Sequence, residues 1–83
     1  MPAVKDDLAA VVRTLVNVPE AVTVEEQGEG RFHRLELAVD PEDLGKIIGR
    51  QGRTARAMRS LLEARSSTDG TRYELTILEE DER

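Results

Sequence analysis

The stretch GKIIGRQGRTARAMRSLLEAR, residues 45–65, carries three of the six glycines, half of the basic residues and a single acid of an 83-residue chain. Its centre, Ile47-Ile48-Gly49-Arg50-Gln51-Gly52, places an apolar pair before two glycines that enclose two long polar side chains, and a helical pattern follows. Glycine tolerates backbone conformations and close approaches that a Cβ forbids. A helix beginning near Gly52 presents unpaired N–H groups and the positive end of its dipole, and Arg50 and Arg53 add full charges at the same place. The combination predicts a loop that holds an anionic backbone, such as a run of phosphates.

Charge is segregated around this stretch. Lys46, Arg50, Arg53, Arg56, Arg59 and Arg65 face only Glu63, a local charge of +5, while the rest of the chain carries six basic and sixteen acidic residues, or −10, within a total of −5. An acidic body with one positive face steers a polyanion to that face, over a reach of about 8 to 10 Å at physiological salt.

Working outward, Asp40-Pro41-Glu42-Asp43 is a helix start, with an N-cap acid, proline at the first helical position and acids in the first turn. The predicted short helix runs over 41–48, seated by Leu44, Ile47 and Ile48 and stopped by Gly49. A second helix is predicted over 52–65, with Ala55, Met58, Leu61 and Leu62 as its buried stripe and Arg53, Arg56 and Arg59 along another side. Upstream, His33, Leu35, Leu37 and Val39 share one parity and predict a strand with one apolar face, Phe32 falling at its edge. Val22 and Val24 open an earlier strand that runs into a turn over Gln27-Gly28-Glu29-Gly30. Before it, Val4, Leu8, Val11, Val12 and Leu15 recur at helical spacing behind Pro2, Asp6 and Asp7, in a helix that ends before Pro19. Downstream, residues 66–70 read as a polar loop. Tyr73, Leu75 and Ile77 alternate with Glu74, Thr76 and Leu78 in a third strand, and residues 79–83 read as a frayed acidic tail.

The order α-β-β-α-α-β predicts a single α/β (α+β) domain over residues 1–83, with three helices on one mixed three-stranded sheet. A right-handed crossover makes the second and third strands parallel, and a hairpin makes the first antiparallel to the second. With no cysteine, aliphatic packing alone must hold it together. The N-terminal residues lack a basic segment followed by a long apolar block, and no apolar run approaches membrane-spanning length. The expectation is a soluble cytoplasmic protein without membrane attachment.

Catalysis finds little support. The chain has one histidine, His33, and no cysteine, and its carboxylates fall at helix starts, strand exteriors and the tail, where they read as solvated. The glycine spacing 45, 49, 52 fits neither the P-loop nor the dinucleotide fingerprint. No metal, cofactor or small-molecule substrate is indicated. Folds that stack bases on sheet aromatics are disfavoured too, because Phe32 and Tyr73 are the only large aromatics.

Ile47-Ile48-Gly49-Arg50-Gln51-Gly52 between two short helices resembles the GXXG signature of KH domains, and the element order resembles their type II, prokaryotic arrangement. Length, the Asn17-Val18-Pro19 helix ending and the lead-in Pro41-Glu42-Asp43-Leu44-Gly45-Lys46 are similar to the small stand-alone bacterial KH proteins of the KhpA (YlqC-like) group. The resemblance covers nearly the whole chain. It implies a non-enzymatic RNA-binding protein, a post-transcriptional regulator or RNA chaperone, whose loop clamps the sugar-phosphate backbone of short single-stranded RNA. Carried over by position, Gly49 and Gly52 admit the backbone, Arg50 and Gln51 face phosphates, Lys46 and Arg53 extend that edge, and Leu44, Ile47 and Ile48 with part of the last strand floor a groove for bases. Arg56 joins the RNA-binding set, although Arg56 and Arg59 read equally well as solvated helix surface. Ala55 departs from the larger aliphatic common at this place, which implies a shallower groove. The resemblance also implies a homodimer, or a heterodimer with another KH-domain protein. The alternative reading is a protein-interaction or dimerisation module with no direct nucleic-acid role, whose association would be insensitive to salt.

Overall fold

A computed structural model of the chain describes residues 3–79. Its elements are α1 (Val4–Arg13), β1 (Thr23–Glu29), β2 (Phe32–Ala38), α2 (Leu44–Ile48), α3 (Arg53–Asp69) and β3 (Arg72–Ile77), with single 3-10 turns at Pro19–Ala21, Pro41–Asp43 and Arg50–Gly52. The strands lie in the order β1-β2-β3, β1 antiparallel and β3 parallel to β2. This is the mixed three-stranded sheet and α-β-β-α-α-β order that hydrophobic periodicity predicts.

The helices cover one face of the sheet. Leu35, Leu37 and Val39, all of one parity, are fully or almost fully buried, and Val12, Ile47, Met58, Leu62 and Leu75 pack with them. The opposite parity carries Arg34, Glu36, Glu74 and Thr76, none of them buried. Such alternation fixes register, since a slip of one residue would turn every aliphatic side chain to water. Phe32 is exposed at the start of β2, as its parity requires.

Several boundaries differ from the sequence reading. The strand β1 continues through Gln27, Gly28 and Glu29, and the turn is only Gly30-Arg31, with Glu29 paired to Phe32. A positive φ at Gly30 alone fits a two-residue turn of the II′ type, whose twist matches the strands it joins. Gly28 serves instead as a close-packing point, because a Cβ there would sit 2.7 Å from His33 Cα. The helix α3 runs a full turn past Arg65, through residues read as a polar loop, and ends on Gly70 in the left-handed conformation. Its extension is tied down from outside: Ser66 Oγ accepts from the Tyr73 N–H at 3.4 Å and Asp69 accepts from the Tyr73 hydroxyl at 3.0 Å. On the helix faces, Val11 and Leu61 are exposed rather than buried and Ala9 takes an inner position on α1, while Leu15 falls beyond the end of α1 at Arg13 and is exposed as well. Pro2 and residues 80–83 of the proposed tail lie outside the described residues, while Glu79 is exposed.

The largest departure is Asp43. It is the one buried charged residue among those described, with no exposed surface, and its two carboxylate oxygens accept from the Asn17 and Val18 amides at 3.0 Å each. It therefore joins the segment after α1 to the start of α2, the helix that leads into the glycine loop. Charge-assisted bonds to both oxygens offset the desolvation of a buried carboxylate. Asp40 is the helix-starting acid expected, accepting from the Glu42 N–H at 2.9 Å.

Candidate nucleic-acid interface

The four residues between α2 and α3 have an unusual backbone. Gly49 (φ 77, ψ 167), Gln51 (φ 58, ψ 25) and Gly52 (φ 72, ψ 17) all lie at positive φ, and Gln51 is the only non-glycine to do so among the described residues. Gly49 combines a conformation that only glycine adopts readily with a crowded position, since a Cβ would lie 2.8 Å from the Thr54 amide nitrogen. Gly52 has open space around it, so its requirement is the dihedral alone. The chain is pinned at either side by Gly49 N–H to Gly45 O (2.8 Å) and Gly52 N–H to Gly49 O (3.1 Å). The result is a tight reversal that projects Arg50 and Gln51 into solvent at the N-terminus of a 17-residue helix.

The basic residues divide by position. Arg50 and Arg53 are exposed and form no side-chain hydrogen bond or ion pair among the described residues. Lys46 is half-exposed, with Nζ 3.8 Å from the buried Asp43 carboxylate. Arg56 donates from Nη2 to the Gln51 carbonyl at 2.6 Å. Arg59 donates weakly to the Leu75 carbonyl at 3.4 Å. Arg65, although part of the same basic run, is bound at the other end of α3 to Asp7 (3.2 Å) and Asp69 (3.8 Å). The positive face is therefore the loop end of α3, not the whole helix.

Beside the loop lies an open groove of about 380 Å³ whose apolar lining comes from Ile48, Ala55 and Ile77, with Arg56 and Arg59 on its wall. Of the proposed floor, Ile48 lines the groove, whereas Ile47 has no exposed surface and Leu44 packs against the core. The last strand contributes Ile77 to this floor, and Ala55 enters it because β3 and α3 converge there. A small side chain at 55 keeps this groove open and shallow. By its spacing from Asp40, Asp43 reads as a second first-turn acid; nothing local marks it as the acceptor for amides some 25 residues away.

At the opposite end of the sheet, charges are paired off. His33 Nδ1 is 2.6 Å from Glu26 and its Nε2 is 3.1 Å from the Gly30 carbonyl, and its ring lies 6.1 Å from that of Tyr73. The Thr71 N–H, donating to Asp69 Oδ1 at 2.9 Å, holds the Asp69 carboxyl below the usual carboxylate range, and the Tyr73 hydroxyl and Arg65 act in the same direction. Burial pushes the Tyr73 phenol up, aided by its bond to Asp69. His33 thus lies between Glu26 and the Gly30 carbonyl, at the end of the sheet away from the glycine loop. Among the described residues no cluster of acids and histidine suited to a metal ion occurs, and no helix is long and apolar enough to cross a membrane.

Comparison with known proteins gives the same setting. A family model described as the KH domain of KhpA/KhpB matches residues 5–77. A protein of Treponema pallidum named RNA-binding protein KhpA is 47% identical over 73 residues, covering 87% of this chain and 90% of that one. Proteins of the same name from Aquifex aeolicus (43% over 79 residues; 95% and 100% covered) and Halalkalibacterium halodurans (41% over 69 residues; 83% and 91%) are similar along almost their full length.

Proposed function

This chain belongs to the KhpA/KhpB KH-domain family, a family of non-enzymatic proteins, and on that footing we propose that it binds RNA, gripping a short single-stranded segment by its backbone at the loop of residues 49–52. The observation that carries this reading is the conjunction of a glycine-framed reversal with two arginines, Arg50 and Arg53, that have no partner among the described residues and stand at a helix N-terminus. Backbone N–H groups and guanidinium forks are the donors that phosphate oxygens take. Gly49 and Gly52 admit the sugar-phosphate chain, Arg50, Gln51, Arg53 and Lys46 face it, and Ile48 receives bases in the adjoining groove. With the floor made of Ile48, Ala55 and Ile77, base contacts are mainly apolar, so sequence preference is modest.

A role for a cytoplasmic post-transcriptional regulator or RNA chaperone fits such a grip. Pairing with a second KH-domain chain belongs to the same proposal; the apolar groove between α1 and α3, where Val11 and Leu61 are exposed, is a surface suited to it, and light scattering of the purified chain reads it out.

The test is Arg50→Asp combined with Gln51→Asp, which reverses the loop charge and leaves both glycines. Single-stranded RNA affinity is expected to fall by more than about tenfold, and the salt dependence of binding to become shallower as phosphate contacts are lost. Unchanged affinity would remove the clamp. Comparing RNA with DNA of the same sequence then shows whether the 2′-hydroxyl is read.

A further inference from the structure

Arg56 differs from the other arginines at the loop in already having a partner. Its Nη2 donates to the main-chain carbonyl of Gln51 at 2.6 Å, whereas Arg50 and Arg53 have no partner among the described residues. The residue it grips is the strained one: Gln51 sits at φ 58, ψ 25, a left-handed conformation that glycine enters freely and other residues enter at a cost. Gly49 and Gly52 need no such support for their dihedrals. A charged donor on the Gln51 carbonyl favours the one peptide orientation in which that carbonyl turns back toward α3. The same bond ties the loop to the first turns of a well-packed helix, whose Ala55 and Met58 are buried on either side of Arg56 in sequence.

We infer that Arg56 is a positioning residue, not a phosphate contact: it braces Gln51 in the left-handed conformation and so presents Arg50 and Gln51 in one geometry before RNA arrives. The purpose of the brace rests on the proposed function; its existence does not. Binding by a preorganised loop avoids the ordering cost that a mobile loop would meet on contact. A phosphate-binding arginine and a bracing arginine differ in two measurable ways. Loss of a phosphate contact lowers the salt slope, by about 0.7 per contact for single strands, and does so whatever residue stands at 51. Loss of a brace leaves the slope alone and matters only while residue 51 needs bracing.

The experiment uses the full chain as wild type, Arg56→Met, Gln51→Gly and the double variant. Methionine keeps helix propensity at this exposed position, and the thermal transition of each variant reports folding. In the free, ¹⁵N-labelled protein, Arg56→Met is expected to lower the backbone order of residues 50–52 on the picosecond to nanosecond scale. With a short, unstructured, mixed-sequence RNA as probe, it is expected to weaken binding about fivefold at an unchanged salt slope. In the Gln51→Gly background the same substitution is expected to cost less than about twofold. An equal loss in both backgrounds with a shallower slope would make Arg56 a phosphate contact and overturn the inference, as would loop order untouched by Arg56→Met. A wild-type chain that does not bind the probe would overturn the proposed function, while the order of the free loop would still decide whether the brace exists.

Discussion

The two ends of α3 treat arginine in opposite ways. At the C-terminal end Arg65 is held between Asp7 and Asp69, within a network that continues through Tyr73, with the Glu26–His33 pair alongside. At the N-terminal end Arg50 and Arg53 stand exposed with no counter-ion among the described residues, beside a backbone bent into positive φ at three of four positions. Paired charges on a surface contribute little to stability and attract little. Unpaired ones clustered at a helix N-terminus create a field that an incoming polyanion can satisfy. The same residue type therefore serves architecture at one end and recognition at the other, and what decides between them is the neighbouring acids.

Substitutions can break this contrast at several depths. The largest effect is expected behind the loop, at Asp43: Asp43→Ala leaves the Asn17 and Val18 amides unsatisfied and is expected to destabilise the fold by about 2–4 kcal/mol in chemical denaturation. Gly49→Ala comes next. Its Cβ meets the Thr54 backbone in a conformation suited only to glycine, for a cost of about 1–3 kcal/mol and loss of RNA binding. Gly52→Ala, with open space around it, is expected to cost only about 1–2 kcal/mol in stability. A larger loss for Gly52→Ala than for Gly49→Ala would invert the assignment of crowding. At the far end, Arg65→Gln is expected to lower stability by no more than about 1 kcal/mol and to leave RNA affinity within about twofold, although it removes as much charge as Arg53→Gln. Equal effects of the two on RNA binding would dissolve the comparison.

The smallest effect concerns pH. Because Asp69 has its carboxyl lowered in the folded chain by the Thr71 amide, its contribution to stability is present above the ordinary aspartate range and is lost as pH falls through the lowered folded value. Tyr73, raised by burial, gives a contribution present below the ordinary tyrosine range and lost as pH rises through the raised value. Denaturation midpoints of Asp69→Asn against wild type are expected to differ more near neutral pH than in acid; a constant difference would mean that Asp69 acts through shape alone.

How far the sequence could be read depended on whether the deciding contact was local. The strand parity of Leu35, Leu37 and Val39, the Asp40-Pro41 start and the Gly49 to Gly52 loop are all set within a few residues, and the structure has each where periodicity and capping place it. Contacts between distant segments were illegible. Asp43 is buried because amides at 17 and 18 arrive to meet it; the last turn of α3, by contrast, is closed locally, by Tyr73 bonding back to Ser66 and Asp69 across polar residues that read as a loop. The exposure of Val11 and Leu61 is of the same kind as the burial of Asp43, for helical spacing defines an apolar stripe without saying how much of it a three-stranded sheet can cover. In the site, glycines and arginines were legible by position, but which arginines were engaged by other groups became apparent only once Asp7, Asp69 and the Gln51 carbonyl had been placed.

RNA is expected to meet the loop end of α3 and to leave the paired end alone, and a titration of the ¹⁵N-labelled chain with short single-stranded RNA tests this most directly. Amide shifts are expected to move for Lys46, Ile48 through Arg53, and Ile77, and to stay fixed for His33, Asp69 and Tyr73. Shifts concentrated at the His33–Tyr73 end, or on the α1–α3 groove around Val11 and Leu61, would contradict it.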